Sequence, residues 1–173
     1  MDFNLKEATQ VLERTPKVLE SLLKGLSDNW LKRNEGENTW SPYEVLGHLI
    51  EGEKKDWIPR TRIILSHLED RTFDTFDRYA HLEESSKTIE ELLQEFKTLR
   101  ENNLSELKSF ALNEQAFSKK GVHPDFGEVD LKQLLATWVV HDLGHISQIN
   151  RVMAKQYVNV VGPWINYLGI LKH

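Results

Sequence analysis

The stretch DLKQLLATWVVHDLGHISQINRVMAKQY, residues 130–157, decides how this chain folds. Its apolar residues Leu131, Leu134, Leu135, Trp138, Ile149 and Val152 recur at intervals of three and four, the spacing of one face of an α-helix. A helix from about Asp130 to Tyr157 with one apolar stripe must pack that stripe against other helices. The same stripe carries His141 and His145. Two imidazoles therefore point where the core is expected.

The rest of the chain supplies partners of the same kind. A first helix is predicted from about Asn4 to Gly25, striped by Leu5, Ala8, Leu12, Thr15, Leu19, Leu22 and Leu26, with a kink or fresh start at Pro16. A second begins at Ser41-Pro42-Tyr43-Glu44, where Ser41 caps, Pro42 suits the first helical position and Glu44 completes a capping box. It runs to about His67, with a distortion expected at Pro59. A third starts at the capping box Thr88-Ile89-Glu90-Glu91 and is striped by Ile89, Leu92, Phe96, Leu99, Asn103, Leu107 and Phe110. The connections Glu69–Lys87 and Leu112–Val129 are longer than a simple up-down bundle needs and are expected to be ordered crossovers or lids over one end. Strand signals are weak throughout. Val158–Val161 reads as a short extended piece, and Gly162–Gly169 as an apolar helical turn packing back on the bundle. The expected fold is all-α, a four-helix bundle with long crossovers in a single domain, residues 1–173.

Composition narrows the function. Hydrophobic content of 39% and charged content of 28% are those of a soluble globular protein. A net charge of −5 argues against nucleic acid as a partner. With no cysteine, disulfides, Cys-ligated zinc and a protein thiol nucleophile are excluded. No apolar run is long enough to span a membrane, and the N-terminus lacks the apolar core of a signal peptide, so a cytoplasmic location is expected.

Chemistry concentrates on three histidines. His141 and His145 are four apart, one helical turn, with Cβ atoms ~6 Å from each other. His48, in Trp40-Ser41-Pro42-Tyr43-Glu44-Val45-Leu46-Gly47-His48-Leu49, faces inward one turn beyond Val45. Three converging imidazoles would bind a divalent metal and leave positions for water or substrate. Hydrogen-bonded core histidines would equally satisfy three buried polar rings. Both explanations fit the residues.

The patterns W-S-P-x-E-V-L-G-H-L (40–49) and H-P-x-F-G-E-V-x-L-x-Q-L-L-A-T-W-V-V-H-D-L-x-H-I-x-Q-I (123–149) resemble the DinB/YfiT-like superfamily. The likeness extends to Thr15-Pro16, to Phe76-Asp77-Arg78-Tyr79-Ala80 and to Gly162-Pro163-Trp164. It implies a four-helix bundle with an unusual crossover and a divalent metal held by His48, His141 and His145. Zinc, nickel and iron suit such a donor set, and copper as well. The resemblance further implies a metal that activates a low-molecular-weight thiol, as in bacillithiol- and mycothiol-dependent S-transferases, or a metal-dependent hydrolase. A non-catalytic metal- or small-molecule-binding bundle of the stress response is the alternative.

No catalytic acid or base is identifiable. Asp142 is rotated ~100° from His141 along the helix, so it suits support of a neighbour or a pair with a basic residue better than metal ligation. Glu44 is accounted for by its cap. His81 and His123 lie in the long connections and could reach the site, although a surface or hydrogen-bonding role is the ordinary one for a loop histidine; His67 lies near the end of the second helix and His173 at the terminus. Trp57, Trp138 and Trp164 are expected as core or pocket walls. A small-molecule substrate is expected, and apolar and aromatic residues of the second segment, read as exposed, hint at a homodimer.

Overall fold

In a computed structural model, residues 1–82 and 86–172 are described, and His173 lies outside them. Four helical columns form the body. The first is α1 (Leu5–Leu12) followed by α2 (Thr15–Leu23), and the second is α4 (Pro42–Lys55) followed by α5 (Trp57–Leu65). The third and fourth are α6 (Ile89–Ser109) and α8 (Leu131–Lys155). Short helices α3 (Asp28–Leu31) and α7 (Glu114–Phe117) occupy connections.

The start signals act as the sequence implies. Ser41, Thr88 and Asp130 each cap their helix, with Glu44, Glu91 and Gln133 reaching back to complete capping boxes. The first column breaks before Pro16, as expected. The second breaks at Asp56, three residues before Pro59 and not at it. The reason is steric and electronic: a helical Pro59 would clash with the Lys55 carbonyl and offer it no N–H. Ending α4 at Lys55 and restarting at Trp57 puts the proline in a first turn, where no donor is missed.

Buried side chains form two apolar clusters. One gathers Leu19, Leu23, Val45, Leu46, Ile50, Leu92, Phe96 and Ile149, and the other Leu12, Trp57, Ile64, Leu107, Leu131, Leu135 and Trp138. Reading their order along each column gives the directions. The first and fourth columns run one way, and the second and third run the other. The first column packs on α6 and α8, as does the second. Thus α4 and α6 are parallel neighbours, and the chain leaving α5 must return along the whole bundle before α6 can begin. That crossover, as far as its described residues 66–82, follows the side of the molecule and is no cap on one end.

The second long connection crosses an end, and it holds the strands that the sequence signals too weakly. Strand β1 (Lys120–His123) pairs antiparallel with β2 (Gly127–Asp130), from Lys120↔Asp130 to His123↔Gly127. Gly127, at φ +71°, turns the hairpin. The first crossover is stitched to this hairpin: Phe73 donates its N–H to the Val122 carbonyl at 2.9 Å, and Val122 donates to the Arg71 carbonyl at 2.9 Å. Beyond α8, Val158–Val161 continue in helical turns and are not extended, with Val158, Val160 and Val161 bonding back to Lys155 and Tyr157. The 3₁₀ turn Gly162–Tyr167 leaves Trp164 70% and Tyr167 88% exposed, so Trp164 is no core or pocket wall. The following turn, Gly169–Leu171, does pack on α8.

Between the two apolar clusters lies one polar layer. Arg100 donates from Nη1 to Asp142 Oδ2 (2.6 Å) and to the Leu12 carbonyl (2.9 Å). Its Nη2 reaches Glu53 Oε1 (2.8 Å) and Asp142 Oδ1 (3.0 Å). Thr15 donates to Asp142 Oδ2 (2.6 Å), Trp138 Nε1 to Glu53 Oε1 (3.0 Å) and Asn103 to Glu53 Oε2 (3.0 Å). Every column contributes. Burial opposes the charge on Arg100, but the carboxylates of Glu53 and Asp142 outweigh it and push its pKa up. Replacing Arg100 with Met leaves two carboxylates buried without a counter-charge, at a cost of about 3–5 kcal/mol. Urea unfolding should show that loss. Arg62→Met, which removes an exposed pair with Glu106, should change stability by no more than about 1 kcal/mol.

Candidate metal centre

One turn from this polar layer, three imidazoles converge. His48 comes from the middle of α4, and His141 and His145 from successive turns of α8. The Nε2 atoms of His48 and His141 are 3.2 Å apart, those of His145 and His141 3.1 Å. All three rings present an atom within 4.8 Å of the other two. Nitrogens bound at ~2.0–2.1 Å around one tetrahedral ion stand roughly 3.3 Å from one another, so the spacing fits a shared ion. The His145 Nδ1 lies 2.8 Å from Gln148 Oε1. That bond places the proton on Nδ1 and leaves Nε2 with a free lone pair, the tautomer that a metal ligand needs.

Aromatic side chains fix the rings. Trp57 stacks on Trp138 at 5.6 Å and meets the His141 ring edge-on at 5.1 Å. Gly52 makes room for it, since a Cβ there would lie 3.3 Å from Trp57 Nε1. Trp40 packs on His48 (4.7 Å) and lies roughly parallel to His145 (6.4 Å). The crossover lays His81 against the same group, 4.6 Å from Trp40 and 5.5 Å from His48. A Cβ on Gly47 would stand 3.3 Å from the His81 Cβ, so this approach depends on glycine one residue before His48.

The histidines fall into two sets. His48, His141 and His145 are brought together, with His81 beside them. His123 stacks on Phe126 at 4.3 Å on the hairpin, away from the cluster, and His67 is exposed just beyond α5. Asp142 faces Arg100 and Thr15, so of its two expected roles the pairing with a base is the one observed. Trp40, Glu53, Arg100 and Gln148 were not singled out from the sequence. Glu53 and Arg100 did carry a signal, being charges one helical turn after Leu49 and Phe96 on inward faces.

Family membership follows from comparison. The profile of the DinB superfamily matches residues 11–149. The chain belongs to the DinB superfamily. Among solved structures it is similar to YfiT from Bacillus subtilis, at 22% identity over 88% of this chain and 87% of that one, with a TM-score of 0.74. YfiT is described as a probable metal-dependent hydrolase with an unusual four-helix bundle topology. It is also similar to TT2238, described as a four-helix bundle protein, at 23% identity, 85% and 98% coverage and a TM-score of 0.58. At those identities the two share the fold of this superfamily member. No curated protein matches the sequence.

The electrostatics favour uncharged rings. Burial first, then the neighbouring imidazoles, hold His48 and His141 down to about 3. Burial also lowers His145 and His81. Neutral imidazole is the ligating form, so no proton has to be expelled from these rings at neutral pH. The sign for stability follows. The unfolded chain takes up protons below about 6.5 that the folded rings refuse until about 3. Metal-free protein should therefore lose stability as pH falls through that window. A His48→Leu/His141→Leu variant should show a shallower slope when unfolding is followed from pH 7 to 4. Equal slopes would show that these rings titrate alike in both states.

Proposed function

We propose that this protein is a metal-dependent enzyme in which His48, His141 and His145 hold a divalent ion, zinc, nickel or iron, through their Nε2 atoms. The convergence of those three nitrogens within 4.8 Å carries the proposal. When bound, the ion lowers the pKa of a thiol or water and supplies a nucleophile at neutral pH. The chain's own contribution is a set of neutral, pre-aimed donors. Behind them the polar layer sets Glu53 and Asp142 against one guanidinium, with burial pushing the Glu53 pKa up and Arg100 opposing that rise.

Transfer of a low-molecular-weight thiol to a small electrophile fits this site better than hydrolysis. A hydrolase gains from a general base beside the bound water. The carboxylates of the polar layer, Glu53 and Asp142, are locked onto Arg100. A thiolate, once ionised, needs no base. The alternative, a stress-response bundle that binds metal without turnover, predicts the same ion and no reaction.

The substrate in this proposal is a small molecule met in the cytoplasm, with neither nucleic acid nor a membrane as partner. Among the described residues no helix is long and apolar enough to cross a membrane. The apolar residues of α4 and α5, such as Val45, Leu46, Ile58 and Ile64, are core. A homodimer would instead use exposed residues such as Val140 and Leu143.

Purified protein is expected to carry about one divalent ion per chain by elemental analysis. His48→Ala, His141→Ala and His145→Ala should each lose metal affinity by orders of magnitude, while His67→Ala binds normally. Added metal should raise the melting temperature of wild type and not of the three ligand variants. Metal-dependent consumption of a small thiol with monochlorobimane is expected. Bound metal with no consumption of any of several biological thiols would favour the binding alternative, and retained binding in His48→Ala would remove His48 from the ligand set.

A further inference from the structure

On the crossover beside the histidines, the side chains of Arg78 and His81 have no ion pair among the described residues. Arg78 lays its guanidinium over the rings of Trp40 (5.9 Å) and Tyr79 (5.5 Å). Arg60, Arg62 and Arg151 each have a carboxylate within ion-pair distance, and Arg78 has none among the described residues. Nearby acids are committed elsewhere. Glu44 accepts from Ser41 at 2.7 Å, Glu51 pairs with Lys54 and Lys55, and Asp77 accepts from the Tyr79 N–H at 2.9 Å. His81 is enclosed, yet neither of its ring nitrogens has a hydrogen-bond partner. Leaving such atoms unpaired is costly, and the helix gives up a side chain at Gly47 to let the ring in.

Charge points the same way. Three imidazoles are neutral ligands, so a bound dication keeps both its charges. Arg78 adds a further positive charge beside it. What this cradle lacks is an anion.

We propose that the turn Phe76–Leu82 is the substrate-binding wall of the site, and that the substrate carries a carboxylate which Arg78, with His81 beside it, receives while another group faces the metal. The proposal rests on the metal reading above and specifies its substrate class. A guanidinium presents its N–H groups as a planar fork that matches a carboxylate bidentately, and stacking on Trp40 and Tyr79 holds that fork in place before the substrate arrives. The His81 ring offers a further hydrogen bond on the same side.

The test uses the full chain loaded with cobalt(II), whose visible absorption reports ligands entering its open positions. Acetate is compared with malonate, succinate and glutarate. At least one dicarboxylate should bind ~10-fold or more tightly than acetate, because its second carboxylate reaches Arg78, an advantage of about 1.4 kcal/mol. Arg78→Gln should abolish the advantage without weakening cobalt binding, and Arg78→Lys should restore part of it. Gly47→Ala, which displaces His81, should reduce dicarboxylate affinity several-fold with cobalt still bound. The inference is overturned if every dicarboxylate binds like acetate, or if the advantage survives Arg78→Gln. Wild type that takes up no cobalt would instead strike the metal reading itself, and this inference with it.

Discussion

The guanidinium of Arg100 is the interaction on which the rest of the structure depends. It accepts no bond and gives four, to a carbonyl at the end of α1 and to carboxylates on α4 and α8. Burying three charges is expensive, and a well-packed apolar layer could hold four helices at least as firmly. What a polar layer adds is register. A column slid by one turn would strand a carboxylate in the core, a penalty that apolar contacts alone do not impose. The two apolar clusters supply most of the driving force. The polar layer between them sets the height of each column against the others.

That height is what a three-nitrogen site requires. His48 lies five residues before Glu53, and His141 directly precedes Asp142. Fixing Glu53 and Asp142 on one guanidinium therefore fixes the relative heights of the two helices that carry the imidazoles. Trp138 links the two levels, donating to Glu53 while stacking on the Trp57 ring that bears on His141. The polar layer thus holds the cluster without touching it, in the manner by which outer groups fix the orientation of ligands.

Much of this was legible in the sequence because it is written in local physics. Capping boxes at Ser41 and Thr88 and stripes of three and four mark α4, α6 and α8 within a residue or two. The histidines were legible for the same reason, as polar rings on an apolar stripe. Pro59 marked a break, but locating it at Asp56 required asking which carbonyl the ring displaces. The hairpin at Lys120–Asp130 is not legible because four-residue strands carry too little alternation to read, and it is held by Phe73 of the first crossover, by α5 and by α8. Arg100 is not legible beside Leu99, since a charge on an inward face makes sense only once its partners, far apart in the chain, are known. Trp164 looked like a wall because aromatic residues usually are, and nothing local reveals that its turn faces solvent.

Phe73 and Val122 join the two long connections by main-chain bonds, and the consequence reaches the chemistry. The first crossover is pinned to the hairpin at one end and to the Thr88 cap at the other. Between Asp74 and Leu82 few amides bond to the body of the protein, and those that do bond, such as Tyr79, Ala80 and Leu82, bond within the turn itself. The centre is thus assembled from two parts of unequal inheritance. The proposed nitrogen donors stand on α4 and α8, whose inward faces are core, so drift there endangers the whole fold. The outer wall proposed above leans on α4 through Ala80–Leu82, and its solvent-facing residues can change without disturbing the helices. Divergence among relatives with this architecture is therefore expected to accumulate on the crossover, where a change of substrate leaves folding intact, while the donors stay as they are.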